Sequence, residues 1–251
     1  MGTLRQRAAK RYREDGLRQL LFLSCRFIYE NFIRLRLPER AVSYNGVKVH
    51  DGKTRLGDTL VPWRRADIPE YEEAIIRSIR KHVGTGERVV IVGGGWGVST
   101  VVAAKSVGGR GTVTTFEGSE NAVKNVRETV NLNDVREEVT IHHAIVSQAY
   151  SLRGEKGKAP VISPNRLSDC DVLVLDCEGA ETDILSKMDI RPRTLIVETH
   201  GMFGSGENIV REKVKDIGYR ITDCRVAEER VKSFCEENGI YVLTAVHPET
   251  E

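Results

Sequence analysis

The sequence has no run of about 18 uncharged apolar residues, the length a bilayer-spanning helix needs. Its longest approach, Leu20-Leu-Phe-Leu-Ser-Cys25, is cut off by Arg26, and no small-residue cleavage site follows in the manner of a signal peptide. Neither membrane integration nor export by that route is expected. Cysteine is sparse and unpatterned: Cys25, Cys170, Cys177, Cys224 and Cys235 are odd in number and show no C-x-x-C spacing. That argues against a disulfide framework and a structural zinc site, and fits a reducing cytoplasm. Internal repeats are absent. The main part of the chain also lacks a basic, aromatic-rich face and any Asn/Asp-Pro-Pro-Tyr-type element, so no nucleic-acid partner is expected.

What is present are 251 residues, 40% hydrophobic and 29% charged, enough to bury the core of one α/β domain with an appendage but cramped for two domains. The net charge of +2 is unevenly spread, with Arg5, Arg7, Lys10, Arg11, Arg13 and Arg18 opposed nearby only by Glu14 and Asp15. Apolar residues then fall at Leu17, Leu20, Leu21, Phe27, Ile28, Phe32 and Leu35, with Arg18, Arg26, Arg34 and Arg36 between them. This is helical periodicity with a basic flank, stopped by Pro38. Residues 1–40 therefore read as a basic amphipathic N-terminal helical extension. Such a helix suits peripheral contact with an anionic membrane, a partner, or packing on its own domain.

Residues 41–83 read as a β-hairpin and a helix leading into the core. Asn45-Gly46 and Asp51-Gly52 are hairpin-turn dipeptides. In Pro69 to Val83, proline stands near the start, acids fill the first turn and bases the last. From residue 84 to 251 strands and helices alternate. Strands are expected at Arg88–Val92, Thr112–Phe116, Val139–Val146, Asp171–Asp176, Thr194–Glu198, Tyr219–Thr222 and Ile240–Val246. Helices are expected near Val98–Ser106, Glu120–Leu132, Glu181–Met188 and Asn208–Ile217, with an amphipathic stretch over Val226–Glu237 and a polar loop over Ser151–Ser168. That alternation implies a doubly wound, mostly parallel sheet with helices on both faces.

The first of those strands runs into glycines, Arg88-Val-Val-Ile-Val-Gly-Gly-Gly-Trp-Gly-Val-Ser-Thr100, and an acid, Glu117, closes the next strand. A strand that breaks into glycine and re-forms as a helix lets backbone approach a ligand, and an acid about 20 residues on can hold a ribose. The dinucleotide pattern G-x-G-x-x-G needs a third glycine where Val98 stands, which disfavours NAD. A phosphate-cradling loop needs a lysine that Gly97-Val98-Ser99 does not supply. What is left is a looser G-x-G-x-G of Gly93, Gly95 and Gly97, suited to a cofactor without pyrophosphate such as S-adenosylmethionine. The same run also fits a tight strand-to-helix turn in any α/β protein.

In open α/β sheets ligands bind beyond the carboxyl ends of the strands. Polar residues gather there: Glu117, the His142-His143-Ala144 segment, Asp176 to Glu181, and Glu198 to His200. Acids in a core are costly without partners, so their clustering at strand ends points to a site. Four segments taken in order, Val89–Ser99, Thr115–Asn133, Leu173-Val-Leu-Asp-Cys-Glu-Gly-Ala-Glu181 and Leu195-Ile-Val-Glu-Thr-His200, resemble the FkbM family of S-adenosylmethionine-dependent methyltransferases. The Asp-x-Glu-Gly-x-Glu element is the most distinctive, and the resemblance covers roughly residues 87–246.

The resemblance implies a Rossmann-like class I methyltransferase fold with a seven-stranded sheet, a methyltransferase domain over residues 84–251, and S-adenosylmethionine as cofactor. Gly93, Gly95 and Gly97 would approach the methionine part, Glu117 would hold the ribose hydroxyls, and adenine would lie near His143 and Ala144. Asp176, then His200, would position or deprotonate an acceptor hydroxyl, with Glu178, Glu181 and Glu198 shaping the pocket. The chain departs from the family in two places: Val90-Ile91-Val92 carries no acid near the end of its strand, and Gly118 stands where proline is common. The expected activity is O-methylation of a hydroxyl on a sugar, glycolipid or small metabolite. A nicotinamide-dependent oxidoreductase and a non-catalytic binding module that kept the fold stand beside it as alternatives. No further His or Asp stands at metal-ligand spacing along the chain, so no metal is expected.

Overall fold

The computed structural model describes residues 25, 27, 28, 32, 41–50, 67–148 and 155–248. The chain divides into a unit of residues 1–42 and 50–67 and a unit of residues 43–49 and 68–251. Phe27, Ile28 and Phe32 of the first unit are exposed. The amphipathic helix expected over residues 17–35 otherwise lies outside the described residues, as does the Asp51-Gly52 turn. No helix among the described residues is long and apolar enough to cross a membrane.

Strands β1 (Val42–Tyr44) and β2 (Val47–Val49) are joined at Asn45 and Gly46, both left-handed, the backbone a two-residue hairpin turn demands. Helix α1 (Glu73–His82) begins four residues later than Pro69 suggests. Glu72 is itself left-handed, with φ of 48°, so the helix cannot propagate back through it. Ile75, Ile76 and Ile79 form its buried stripe. Each contributes about 1.5–3 kcal/mol of transfer free energy.

The remaining elements are β3 (Arg88–Val92), α2 (Val98–Val107), β4 (Thr112–Glu117), α3 (Glu120–Leu132), β5 (Val139–His143), β6 (Ile145–Val146), β7 (Val161–Ile162), β8 (Val172–Leu175), α4 (Glu181–Lys187), β9 (Thr194–Glu198), α5 (Glu207–Asp216), β10 (Arg220–Val226), α6 (Lys232–Asn238) and β11 (Tyr241–Val246). One seven-stranded sheet has the order β10-β11-β9-β8-β3-β4-β5. All its pairings are parallel except those of β11, which runs against both β9 and β10. This is the doubly wound sheet the alternation implies.

The central strands are apolar at nearly every position because both faces are covered. Val90, Val92, Leu173, Leu175, Leu195 and Val197 turn toward α4 and α5, where they pack with Ile184, Leu185, Val210 and Val214. The alternate residues, including Val89, Ile91 and Val174, are equally buried. Helix α2 is buried on almost every side, at Val98 through Ala104 and again at Val107. Only Lys105 is exposed and Ser106 half-buried, so the helix occupies an interior position.

Two expectations need correction. The third strand stops at His143 rather than running on to Val146: Ala144 donates its N–H to the Glu117 carbonyl at 3.0 Å, and Ile145 then bonds Pro160 instead of the main sheet. The partner strand β7 lies inside the segment read as a polar loop, and pairs in parallel with β6. Lysine, glycine and proline around it hide a two-residue strand from any pattern of period two.

The chain changes winding direction at β3, whose neighbours are β4 on one side and β8 on the other. That is the switch point where open sheets take their ligands. The ends of β3 and β8 approach so closely there that a Cβ on Gly93 would fall 1.7 Å from the Asp176 carbonyl oxygen, and Gly93 has φ of +99°. Gly93→Ala is therefore expected to lower the unfolding free energy by about 2–4 kcal/mol, through strain and backbone displacement. Urea denaturation followed by circular dichroism measures this, and an unchanged midpoint would contradict the close approach.

Candidate active site

The loop after β3 gives its glycines different tasks. Gly93 is required by the strand ends, as above. Gly97 caps α2 with φ of 83°, and a Cβ there would sit 3.0 Å from the Val126 Cα of α3. Gly97 thus serves helix packing and lies outside the cleft, whereas Gly93 and Gly95 line it. Trp96 in the middle of the turn meets Tyr44 edge to face, and Tyr44 stacks on Tyr71 at 4.8 Å.

Glu117 is nearly buried at the end of β4. Its Oε2 accepts hydrogen bonds from the Gly94 and Gly95 amides at 2.8 and 3.0 Å, and its Oε1 accepts from Ser119 at 2.7 Å. The acid expected to hold a ribose therefore also shapes the glycine loop, the task left open by the missing acid of the first strand. An ionised carboxylate has about four lone-pair sites, so three amides leave it acceptor capacity toward the cleft.

The cleft is bounded by Gly93, Gly95 and Glu117 on one side, by Phe116, Ala122 and Ala144 to Val146 on another, and by Asp176, Cys177 and Glu178 opposite. It is partly enclosed, with a mouth open to solvent. An apolar wall, a carboxylate with spare acceptors and backbone without side chains fit an adenosyl group. Glu72 and Gln148 also line it, and neither carries a motif. Ala144 lines the cleft. His143 does not: it lines a separate basic recess with Lys124, Arg127 and Lys158, its Nε2 3.3 Å from the Gly118 carbonyl oxygen. His143 ends β5 and Ala144 lies just past it, and the two line different recesses.

Beyond β8 the chain turns through left-handed Glu178 and Gly179 before α4. Glu181, with no exposed surface, faces back into this turn: its Oε1 accepts from Cys177 N–H at 3.2 Å and its Oε2 from Gly179 N–H at 3.0 Å. The same Oε1 is 2.9 Å from His200 Nδ1. His200 is held at the end of β9 by paired backbone bonds with Ser205, whose hydroxyl donates to the Gly179 carbonyl at 2.8 Å. The loops after β8 and β9 are thereby tied together.

Asp176 Oδ1 and Glu198 Oε1 each lie 3.6 Å from His200 Nε2. Burial alone would lower the imidazole pKa, but the Glu181 hydrogen bond and the charges of Asp176, Glu181 and Glu178 outweigh it and raise it. Burial opposes ionisation of Glu181 too, yet His200 and the Gly179 amide hold its carboxyl below the usual range. Burial, with Glu181 and Asp176 beside it, pushes the Cys177 thiol well up, which makes it a poor nucleophile.

The structure thus brings Asp176, Glu178, Glu181, Glu198 and His200 to one place, and shows Glu181 to be the most buried of them. Glu181→Ala would orphan two loop amides and the imidazole. It is expected to lower the unfolding free energy by about 3–5 kcal/mol. Guanidinium titration checks this, and a loss below about 1 kcal/mol would show the turn to be held by something else.

No family model matches the chain, and no curated protein matches it. Solved structures do. A SAM-dependent O-methyltransferase from Thermotoga maritima superposes with a TM-score of 0.51 at 17% identity, over 84% of this chain and 78% of that one. A ribosomal protein L11 methylase from Lactobacillus delbrueckii subsp. bulgaricus gives 0.51 at 12%, over 70% and 77%. A protein solved in complex with tRNALeu gives 0.54 at 11%, over 84% of this chain and 54% of that one.

The fold is therefore the Rossmann-like fold that these SAM-dependent methyltransferases share. The tRNA complex among these structures goes against the expectation that nucleic acid is no partner, since the fold does not exclude one.

Proposed function

We propose that this chain is an S-adenosylmethionine-dependent methyltransferase of FkbM type that methylates a hydroxyl on a sugar, glycolipid or small metabolite. The observation that carries the reading is the shared cleft. The glycine loop and Glu117 stand on one side, and Asp176 and Glu178 stand opposite, within reach of the same space. Gly93, Gly95 and Glu117 would hold the cofactor, with Ala144, Ile145 and Val146 against the adenine. When bound, S-adenosylmethionine supplies a methyl group made electrophilic by its sulfonium.

The chain's own contribution is alignment and proton management. Positioning of a nucleophile is worth up to about 7–11 kcal/mol in ideal cases. Asp176, half in the cleft and half against His200, is placed to accept the proton of an acceptor hydroxyl. Such a base contributes about 10²–10⁴-fold. His200 and Glu198 stand behind the Asp176 carboxylate, with the imidazole Nε2 at 3.6 Å. Glu72, Glu117, Asp176 and Glu178 make the cleft wall acidic, which favours a hydroxylated acceptor over a phosphate backbone. Against the nicotinamide alternative, Val98 is fully buried where a dinucleotide fold needs glycine.

Calorimetry should show S-adenosylmethionine and S-adenosylhomocysteine binding and no NAD binding; NAD alone binding would overturn the reading. Glu117→Ala removes charge-assisted acceptors and should weaken S-adenosylmethionine about 10–100-fold. Asp176→Asn should leave cofactor affinity within a few fold and cut methyl transfer by about 10²–10⁴-fold, followed with labelled cofactor in cell extracts and mass spectrometry. The opposite pattern, with affinity lost in Asp176→Asn and kept in Glu117→Ala, would reverse the two roles. Absence of labelled product from broad extracts would favour a binding module.

A further inference from the structure

The sequence shows no metal-ligand spacing, yet the ends of β8 and β9 bring three donors together. Asp176, Glu198 and His200 each offer one ligand atom, and these atoms all lie within 4.8 Å of one another. We infer that these three side chains form a binding site for one divalent cation on the wall of the cleft.

The imidazole carries the argument. His200 is 4% exposed. Its Nδ1 lies 2.9 Å from the Glu181 carboxylate, which can only accept, so Nδ1 is the donor in that bond. With the proton on Nδ1, the Nε2 lone pair points between the oxygens of Asp176 and Glu198. Both are 3.6 Å away, beyond hydrogen-bond range. An ion bound at about 2.1 Å sets adjacent ligand atoms about 3 Å apart and opposite ones about 4.2 Å apart, so small side-chain adjustments close the shell. A histidine whose far nitrogen donates to a buried carboxylate is the usual support of a metal ligand, because that bond fixes the ring and raises its basicity.

Glu181 is that support. It has no exposed surface and is anchored by the Cys177 and Gly179 amides, so the ring cannot swing away. The three donors come from the residue just past β8, the last residue of β9 and the bridge that follows it. Asp176 also lines the cleft, so the open side of the shell faces the space proposed for the acceptor, the arrangement of a catalytic rather than a structural site. Two carboxylates favour Mg²⁺ or Mn²⁺, and the imidazole shifts preference toward Mn²⁺.

The inference deepens the proposed function, and rests on it only for the use of the ion: an acceptor presenting oxygen would complete the shell, and Asp176 would then act on it through the ion. The binding itself stands on the geometry alone.

Electron paramagnetic resonance of the chelator-treated full chain titrated with Mn²⁺ should show one bound ion per chain, displaced by excess Mg²⁺ or Zn²⁺. His200→Ala and Glu198→Gln should each abolish or weaken that binding at least tenfold, and Glu181→Gln should weaken it about 10–100-fold while leaving the three ligands in place. Circular dichroism of each variant separates loss of the site from loss of the fold. Wild-type protein that retains no Mn²⁺ at millimolar concentration overturns the inference, and so does binding undiminished in the folded Glu198→Gln variant. S-adenosylmethionine calorimetry on the same samples keeps the two readings apart. Cofactor binding without Mn²⁺ removes the metal site alone, and Mn²⁺ binding without cofactor removes the methyltransferase reading alone.

Discussion

The contact on which the site depends is the buried hydrogen bond between Glu181 and His200. A carboxylate with no exposed surface costs several kcal/mol in desolvation unless its lone pairs are filled. Here two loop amides and the imidazole fill them. The result is geometric: the turn after β8 cannot relax without orphaning Glu181, and the loop after β9 cannot move without orphaning it from the other side. Asp176, at the start of that turn, inherits its position from this constraint.

Glu117 solves the same problem differently. Glu117 ends a strand and Glu181 opens a helix, and both gather backbone amides of nearby loops. Glu181 spends its lone pairs inward, on its own turn and on a histidine. Glu117 shapes the glycine loop with the same kind of bond but also lines the cleft. A chain without an acid on β3 can therefore still order its glycine loop. The brace has moved one strand over.

Much of this was legible in the sequence, for identifiable reasons. Strands β3, β4, β8 and β9 are buried on both faces and stop abruptly at glycine or acid, so runs such as Val89–Val92 mark themselves. The Asp176–Glu181 element announced a site because six residues with three acids have no place in a core. What did not show were features set by tertiary contact. The early end of β5 depends on Ala144 finding the Glu117 carbonyl, β7 is too short to carry a period, and Glu72 reaches the cleft from a left-handed turn before α1. Nor did the sequence separate His143, which lines the basic recess, from Ala144 just past β5, which lines the cleft.

The acidic cluster is also where the two halves of the site constrain each other. A pocket that binds a cationic sulfonium gains from carboxylates nearby, but the same carboxylates repel one another and resist burial. The Glu181–His200 hydrogen bond offsets part of that cost. The fold meets the rest by distributing them: Glu181 fully hydrogen-bonded in the interior, Glu198 partly screened beside it, Asp176 left at the boundary where solvent or a ligand shares its charge. Asp176 is the one of the three that lines the cleft, and so the one whose surroundings a bound molecule would change most.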